Sequence, residues 1–165
     1  MSDPAQPDNP QAASDRAAQP AFQIEKLYVK DLSLEVPNAP QVFMQAESPQ
    51  LEIAVRNEAV QFADTFFDVT VTVTVTARSG EKTVFLAEVA QAGIFSARGI
   101  APQDLEPLLG IACPTILFPY AREAISDLVT RGGFPPVLLA PVQFETLYAQ
   151  RNPAQPAAPG IANAN

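Results

Sequence analysis

The sequence has no histidine, a single cysteine and few basic residues: 10 Lys+Arg against 18 Asp+Glu in 165 residues, a formal net charge of -8. Each shortage excludes a class of function. Without histidine the chain cannot supply the base of a Ser-His-Asp or Cys-His nucleophile, nor an imidazole ligand. With only Cys113 it can form neither an intrachain disulfide nor a cysteine-rich zinc site. An isoelectric point near 4.4 argues against nucleic-acid binding, because affinity for phosphates comes mainly from Lys and Arg releasing counterions. A partner is expected to be basic or apolar. No run reaches the roughly 18 uninterrupted apolar residues of a membrane-spanning helix, and the opening MSDPAQPDNP lacks the basic and then apolar pattern of a secretory signal. The lone thiol fits a reducing cytoplasm.

What is present suffices for one domain. Hydrophobic residues make up 47% of the chain, and a length of this order builds a single core. Residues 1–20 contain four of the 17 prolines and, beyond Met1, no large apolar side chain, so a disordered N-terminal tail is expected. Residues 152–165 carry three more prolines and one large apolar residue, Ile161, and are expected to form a second disordered tail. The domain is then placed at 21–151. Residues 22–150 hold 15 acidic and 8 basic residues, so seven of the eight excess negative charges belong to it.

The segment 66–76, FFDVTVTVTVT, places Phe67, Val69, Val71, Val73 and Val75 at odd positions and Asp68 and four threonines at even ones. Such alternation predicts a half-buried antiparallel strand with a wet threonine face. Leu51, Ile53 and Val55 repeat the pattern, and 83–91 follows a Ser79-Gly80 turn as the second half of a hairpin. A first strand is expected over 22–35, with Phe22, Ile24 and Tyr28 in one register, continued by Leu32 and Leu34. The sheet has four strands, and Pro37, Pro40 and Pro49 make the link between the first two an extended crossing segment.

After the sheet, 102–110 predicts a short helix ending at Gly110. The main amphipathic helix spans 114–131, with Leu117, Ala121, Ala124, Ile125, Leu128 and Val129 on one stripe and Arg122, Glu123, Ser126 and Asp127 on the other. Gly132 is expected to close it in the left-handed conformation. Pro119 either kinks this helix or marks its first turn, and 144–150 forms a last short helix. The class is α+β: a four-stranded antiparallel sheet with one long helix on a face. One helix shields only part of such a sheet. Either the remaining apolar surface serves oligomerisation or a client groove, or the crossing segment and the terminal helix complete the cover.

Asp31, Ser33 and Glu35 alternate along the first strand, and Leu86 and Glu88 share a face of the fourth. An acidic patch holding a leucine suits a basic partner, although a merely solvated sheet face fits the pattern as well. As a carboxylate pair Asp31 and Glu35 would make an acid/base site, but no pocket is indicated that would separate their pKa values. Phe43, Phe66, Phe67, Phe95, Phe118 and Tyr120 are either core or the lining of a groove. Cys113, ahead of Pro114, reads as a small packed residue. Nucleotide-binding glycine motifs are absent, and no cofactor or metal is expected.

Four segments carry a further signal: FQIEKLYVKDLSLEVPNAP (22–40), FLAEVAQAGIF (85–95), LGIACPTILFPYAREAISDLVTRGGFP (109–135) and LAPVQFETLY (139–148). In this order they closely resemble the SecB protein-export chaperone family; KDLSLEVPNAP and CPTILFPYARE follow from no general folding need. The resemblance implies a cytosolic homotetramer, a dimer of dimers, that is not an enzyme. Such a protein holds unfolded secretory precursors and delivers them to the SecA motor ATPase, with no direct membrane insertion. The implied motor-docking face is Asp31, Glu35, Leu86 and Glu88. The implied client groove is lined by Phe43, Phe118 and Tyr120, with Phe67 and Phe95. A small-ligand or lipid-binding β domain using the same groove is the alternative. Two departures stand out. Ser48 precedes Pro49 where many members carry tryptophan, and no acid follows Glu145 in a tail that is often acidic in the family.

Overall fold

The computed structural model describes residues 19–45 and 48–153; most of both expected tails lies outside the described residues. Four strands, β1 (Ala21–Glu35), β2 (Gln50–Ala63), β3 (Phe66–Ser79) and β4 (Lys82–Arg98), form one antiparallel sheet in the order β1-β4-β3-β2. The clean alternation of 66–76 forms β3, which pairing with β4 and β2 on its two sides makes a central strand, with Val69, Val71, Val73 and Val75 fully buried on its inner face. β2 continues well past Val55, because Arg56, Asn57 and Glu58 keep pairing with Thr72, Val71 and Thr70. Polarity at these edge positions interrupts the apolar pattern without interrupting the ladder.

Three sheet expectations are corrected. Tyr28 does not share a face with Ile24, since β1 shifts register between Ile24 and Lys26 and again between Val29 and Asp31. Each bulge exchanges the faces of all that follows. Thr70 and Thr72 are buried, not wet, because they sit at the centre of the face, opposite Ala92 and Ala90 and beneath the longer side chains of the flanking strands. The crossing segment is not extended throughout. It turns at 37–40 and tightens into a single 3-10 turn, Gln41–Met44, which buries Val42.

Helix α1 (Pro102–Pro107), a π-helical turn (Leu108–Ala112) and α2 (Cys113–Arg131) follow one another as a continuous helix, so Gly110 does not end the first piece. Pro114 has no N–H to offer the carbonyl four residues back, that of Gly110, and Asn57 Nδ2 lies 3.5 Å from it. Pro119 sits inside α2 on its exposed side. By length and composition the whole Pro102–Arg131 stretch would suit a membrane crossing. In the fold, however, Leu117, Ala121, Ile125 and Val129 are buried against β3 and β4. The approach is close at Gly93, where a Cβ would fall 2.8 Å from Phe95 and 3.1 Å from Leu117.

Gly133, not Gly132, is the left-handed residue at the end of α2, with φ 87°. Gly132 keeps a helical backbone (φ -72°), and the amides of Gly133 and Phe134 bond back to Thr130 and Val129. This is the two-bond Schellman closure, one residue later than expected. Helix α3 (Phe144–Arg151) is held to β2 by Arg151, whose Nη1 donates to the backbone carbonyl and side-chain oxygen of Asn57, each at 2.9 Å.

The single helix leaves the edges of the inner face open. Ile24 (47%), Val29 (49%) and Leu32 (47%) on β1, and Leu51 (45%) and Ile53 (47%) on β2, remain about half exposed. Neither the crossing segment nor α3 covers them in one copy of the chain.

Cys113 lies fully buried at the start of α2, and burial pushes its thiol from an ordinary 9.0 up to about 12. The native thiol therefore keeps its proton in a range where the unfolded one loses it. Above about pH 9 the unfolded chain binds fewer protons than the native one, so stability falls as pH rises toward 12. Cys113→Ala should flatten that decline in urea midpoints measured from pH 8 to 11. A midpoint that falls equally in both proteins would assign the loss to other groups.

Candidate functional site

The outer face of the sheet, opposite the helix, gathers the acidic residues at one end. Antiparallel register sets Glu35 opposite Leu86, Ser33 opposite Glu88 and Asp31 opposite Ala90. Directly opposed side chains stand about 5 Å apart. Asp31, Glu35, Leu86 and Glu88 thus occupy neighbouring positions on one surface. Asp31 and Glu35 are exposed, while Leu86 and Glu88 are half-buried. Thr74 donates its hydroxyl to Glu88 at 2.7 Å, which fixes that carboxylate in the plane of the face. Glu52, opposite Thr76, extends the acidic row across the sheet. The sequence reading missed it because its strand appeared to serve only as a source of core residues. The ion pairs among the described residues, Lys30–Asp68 and Arg131–Asp127, involve none of these acids.

The other end of this face differs in chemistry. Asp68 accepts hydrogen bonds from Tyr28 and Lys30, each at 2.9 Å. Burial together with that carboxylate raises the Tyr28 pKa, and the bond to Asp68 raises that of Lys30. Val60, Phe62 and Ile94 line a shallow cleft beside them.

A second candidate region lies at the β2 edge of the inner face. A cavity of about 410 Å³ opens between the crossing segment, with Val42, Phe43, Gln45, Ser48 and Pro49, and the connector after α2, with Phe134, Pro135, Pro136 and Val137. Leu51, Val84 and Phe85 form its floor. Phe134 organises the walls: its ring centroid is 5.2 Å from that of Phe43 and 4.8 Å from that of Phe85. Phe43 is half exposed, and Met44 beside it is almost wholly exposed. Ser48, at the position noted above for its lack of tryptophan, forms part of the wall.

The five aromatic residues of the expected groove do not meet in one place. Phe43 lines the cavity. Tyr120 is exposed on the outer side of α2, while Phe118 is buried edge-on against Phe144 with centroids 5.9 Å apart. Phe67 and Phe95 belong to the core, and Phe95 stacks on Phe22 at 5.5 Å. The aromatic partner of Phe43 is instead Phe134, which packs in turn on Phe85. The signal for Phe134 was the string Gly-Gly-Phe-Pro-Pro, in which the residue after a helix-closing glycine packs back and the prolines then hold the chain extended.

Comparison with known proteins adds independent observations. The family model described as preprotein translocase subunit SecB matches residues 15–155. The protein-export protein SecB of Chromobacterium violaceum is 61% identical over 137 residues, covering 83% of this chain and 91% of that protein. That of Methylobacillus flagellatus is 57% identical over 148 residues, covering 90% and 94%. Among solved structures, a SecB-like chaperone of Mycobacterium tuberculosis, in complex with a ChAD peptide from the HigA1 antitoxin, aligns with a TM-score of 0.58 at 21% identity. That alignment covers 80% of this chain and 97% of that one, and it shows a shared fold.

Proposed function

This chain belongs to the family of preprotein translocase subunit SecB, and on that premise we propose that it holds precursor proteins unfolded in the cytosol and hands them to the SecA motor ATPase. The family is one of protein-export chaperones rather than of enzymes. The observation that carries the holding step is the cavity of about 410 Å³ lined by Phe43, Phe85 and Phe134. Apolar and aromatic walls bind an unfolded segment through area removed from water, about 25 cal/mol per Å², with little demand on its sequence. Affinity is then spread over many weak contacts, and a folded protein offers none of the segments required. No nucleotide need be bound, because transfer to the motor drives release.

Leu51 and Ile53, half exposed beside the cavity, lengthen the apolar track. The open strips on β1 supply the surface for a dimer of dimers. In such a tetramer one client gains avidity, as each further segment binds at high effective concentration. The acidic end of the outer face, with Asp31, Glu35, Leu86 and Glu88, is the motor-docking surface in this reading. It lies on the opposite side of the sheet from the cavity, so client and motor can be bound together.

Light-scattering mass with and without a urea-unfolded precursor tests the proposal. A tetramer that gains the precursor's mass and delays its refolding is expected. Phe43→Ala should weaken precursor binding about tenfold, given the transfer energy of one partly buried aromatic ring, while leaving the oligomer intact. A monomer indifferent to the precursor would sink the reading. A small apolar molecule copurifying at one per protomer would point to a ligand-binding domain instead.

A further inference from the structure

We infer that the segment 153–161 of this chain's own C-terminal tail docks in the Phe43 cavity, with Ile161 as its anchor, so that an arriving client must displace it. The docking stands on the cavity and on the tail's sequence; only its effect on clients rests on the reading of that cavity as the client site. Residues 154–165 lie outside the described residues, and their composition and starting point carry the inference. The tail leaves α3 beside β2, where Arg151 Nη1 donates to the Asn57 carbonyl at 2.9 Å. From Asn57 back to Leu51, on the cavity floor, is six residues of unshifted strand, or about 20 Å. From Pro153 to Ile161 is eight residues, which in a polyproline conformation span about 25 Å. The tail is therefore long enough to bring Ile161 to the cavity of its own subunit.

Tail and cavity also match in chemistry. In a chain of net charge -8, residues 152–165 hold no Asp, Glu, Lys or Arg, and none of the residues lining the cavity carries a charge. Docking thus strips water from no ion. Pro153, Pro156 and Pro159 recur at period three, and a polyproline helix has three residues per turn, so the three rings share one face. Such a face suits aromatic walls, here Phe43 and Phe134 with ring centroids 5.2 Å apart, at little cost in chain entropy. Ile161 is the one large apolar side chain of the tail, and Gly160 before it lets the chain turn inward. Gln45 and Ser48 of the cavity wall offer donors to the tail's backbone carbonyls. A segment tethered this closely meets the cavity at millimolar effective concentration, so weak contacts hold it, while a client binding through several segments still displaces it.

The test uses the full chain with Ile161→Trp, a reporter with no background because the sequence has no other tryptophan. Its emission should be blue-shifted against the urea-unfolded protein and poorly quenched by acrylamide. Adding Phe43→Ala, or saturating with an unfolded precursor that lacks tryptophan, should restore solvent-like emission. In the otherwise unaltered chain, Ile161→Asp should raise precursor affinity about three- to tenfold, by freeing a cavity that the tail occupies most of the time. Solvent-like emission before precursor is added would overturn the docking and leave the client reading untouched. Buried emission that Phe43→Ala does not change would overturn it too, by placing the tail elsewhere. Buried emission that Phe43→Ala releases and precursor does not would keep the docking and overturn the client reading instead. Emission that reddens on dilution at constant oligomeric mass would assign the docking to tails of other molecules, against the proposal. Precursor affinity unchanged by Ile161→Asp would overturn the competition.

Discussion

Replacing Asp31, Glu35 and Glu88 together with lysine should reduce affinity for the SecA motor more than about a hundredfold while leaving precursor holding within about twofold. The size follows from reversing three neighbouring charges, which turns attraction to a basic surface into repulsion costing several kcal/mol. The separation of effects follows from placement. Asp31 and Glu35 are exposed on the outer face, and the cavity lies across the sheet. Glu88 is the least free of the three, because its carboxylate accepts from Thr74 at 2.7 Å. Glu88→Gln keeps an acceptor for that hydroxyl, and so separates loss of charge from loss of the bond. Wild-type motor affinity should also fall as salt rises from 0.05 to about 0.5 M, since exposed charges are screened within about 10 Å at 0.1 M. Unchanged motor affinity in the triple variant would remove the docking face. Loss of holding in a variant that keeps its oligomeric mass would show that the two surfaces are not separate.

Phe95→Ala is expected to cost about 3–5 kcal/mol of stability, the usual range for deleting a fully buried aromatic ring. The ring has no exposed surface, stacks on Phe22 and lies in the layer where Gly93 lets Leu117 approach. A loss of that size lowers the melting temperature of a domain this long by about 10–20 °C. Phe43→Ala, at a half-exposed position, should shift melting by only a few degrees and act on client affinity instead. Together the two variants decide how the aromatic residues divide between core and groove. If Phe95→Ala melted like the parent and bound precursor weakly, Phe95 would belong to the groove.

The strands were legible because their signal is local. The Val/Thr alternation of 66–76 can satisfy one buried face only as a strand, and the stripe from Leu117 to Val129 can do so only as a helix. The neighbouring placement of Asp31, Glu35, Leu86 and Glu88 was also within reach, since alternation along β1 and β4 puts each pair on one face. Errors arose where a local rule met a neighbour. Thr70 and Thr72 read as wet, yet flanking strands cover them. Gly110 read as a stop, yet the chain passes through a π turn there with Asn57 of β2 close to the freed carbonyl.

By itself, then, the sequence determined the element types, the four-strand count, the exclusion of histidine chemistry, and the family through KDLSLEVPNAP and CPTILFPYARE. These depend on residues within a dozen positions of one another, or on composition. The tertiary structure decided which aromatics meet. Phe43 and Phe85 lie far from Phe134 in the chain, and each comes within about 5 Å of its ring only through a crossing segment, a strand and a helix-closing turn. It also decided which apolar edges stay open. One helix has width enough for two strands, and no pattern along a single segment shows which of four strands will lie beneath it.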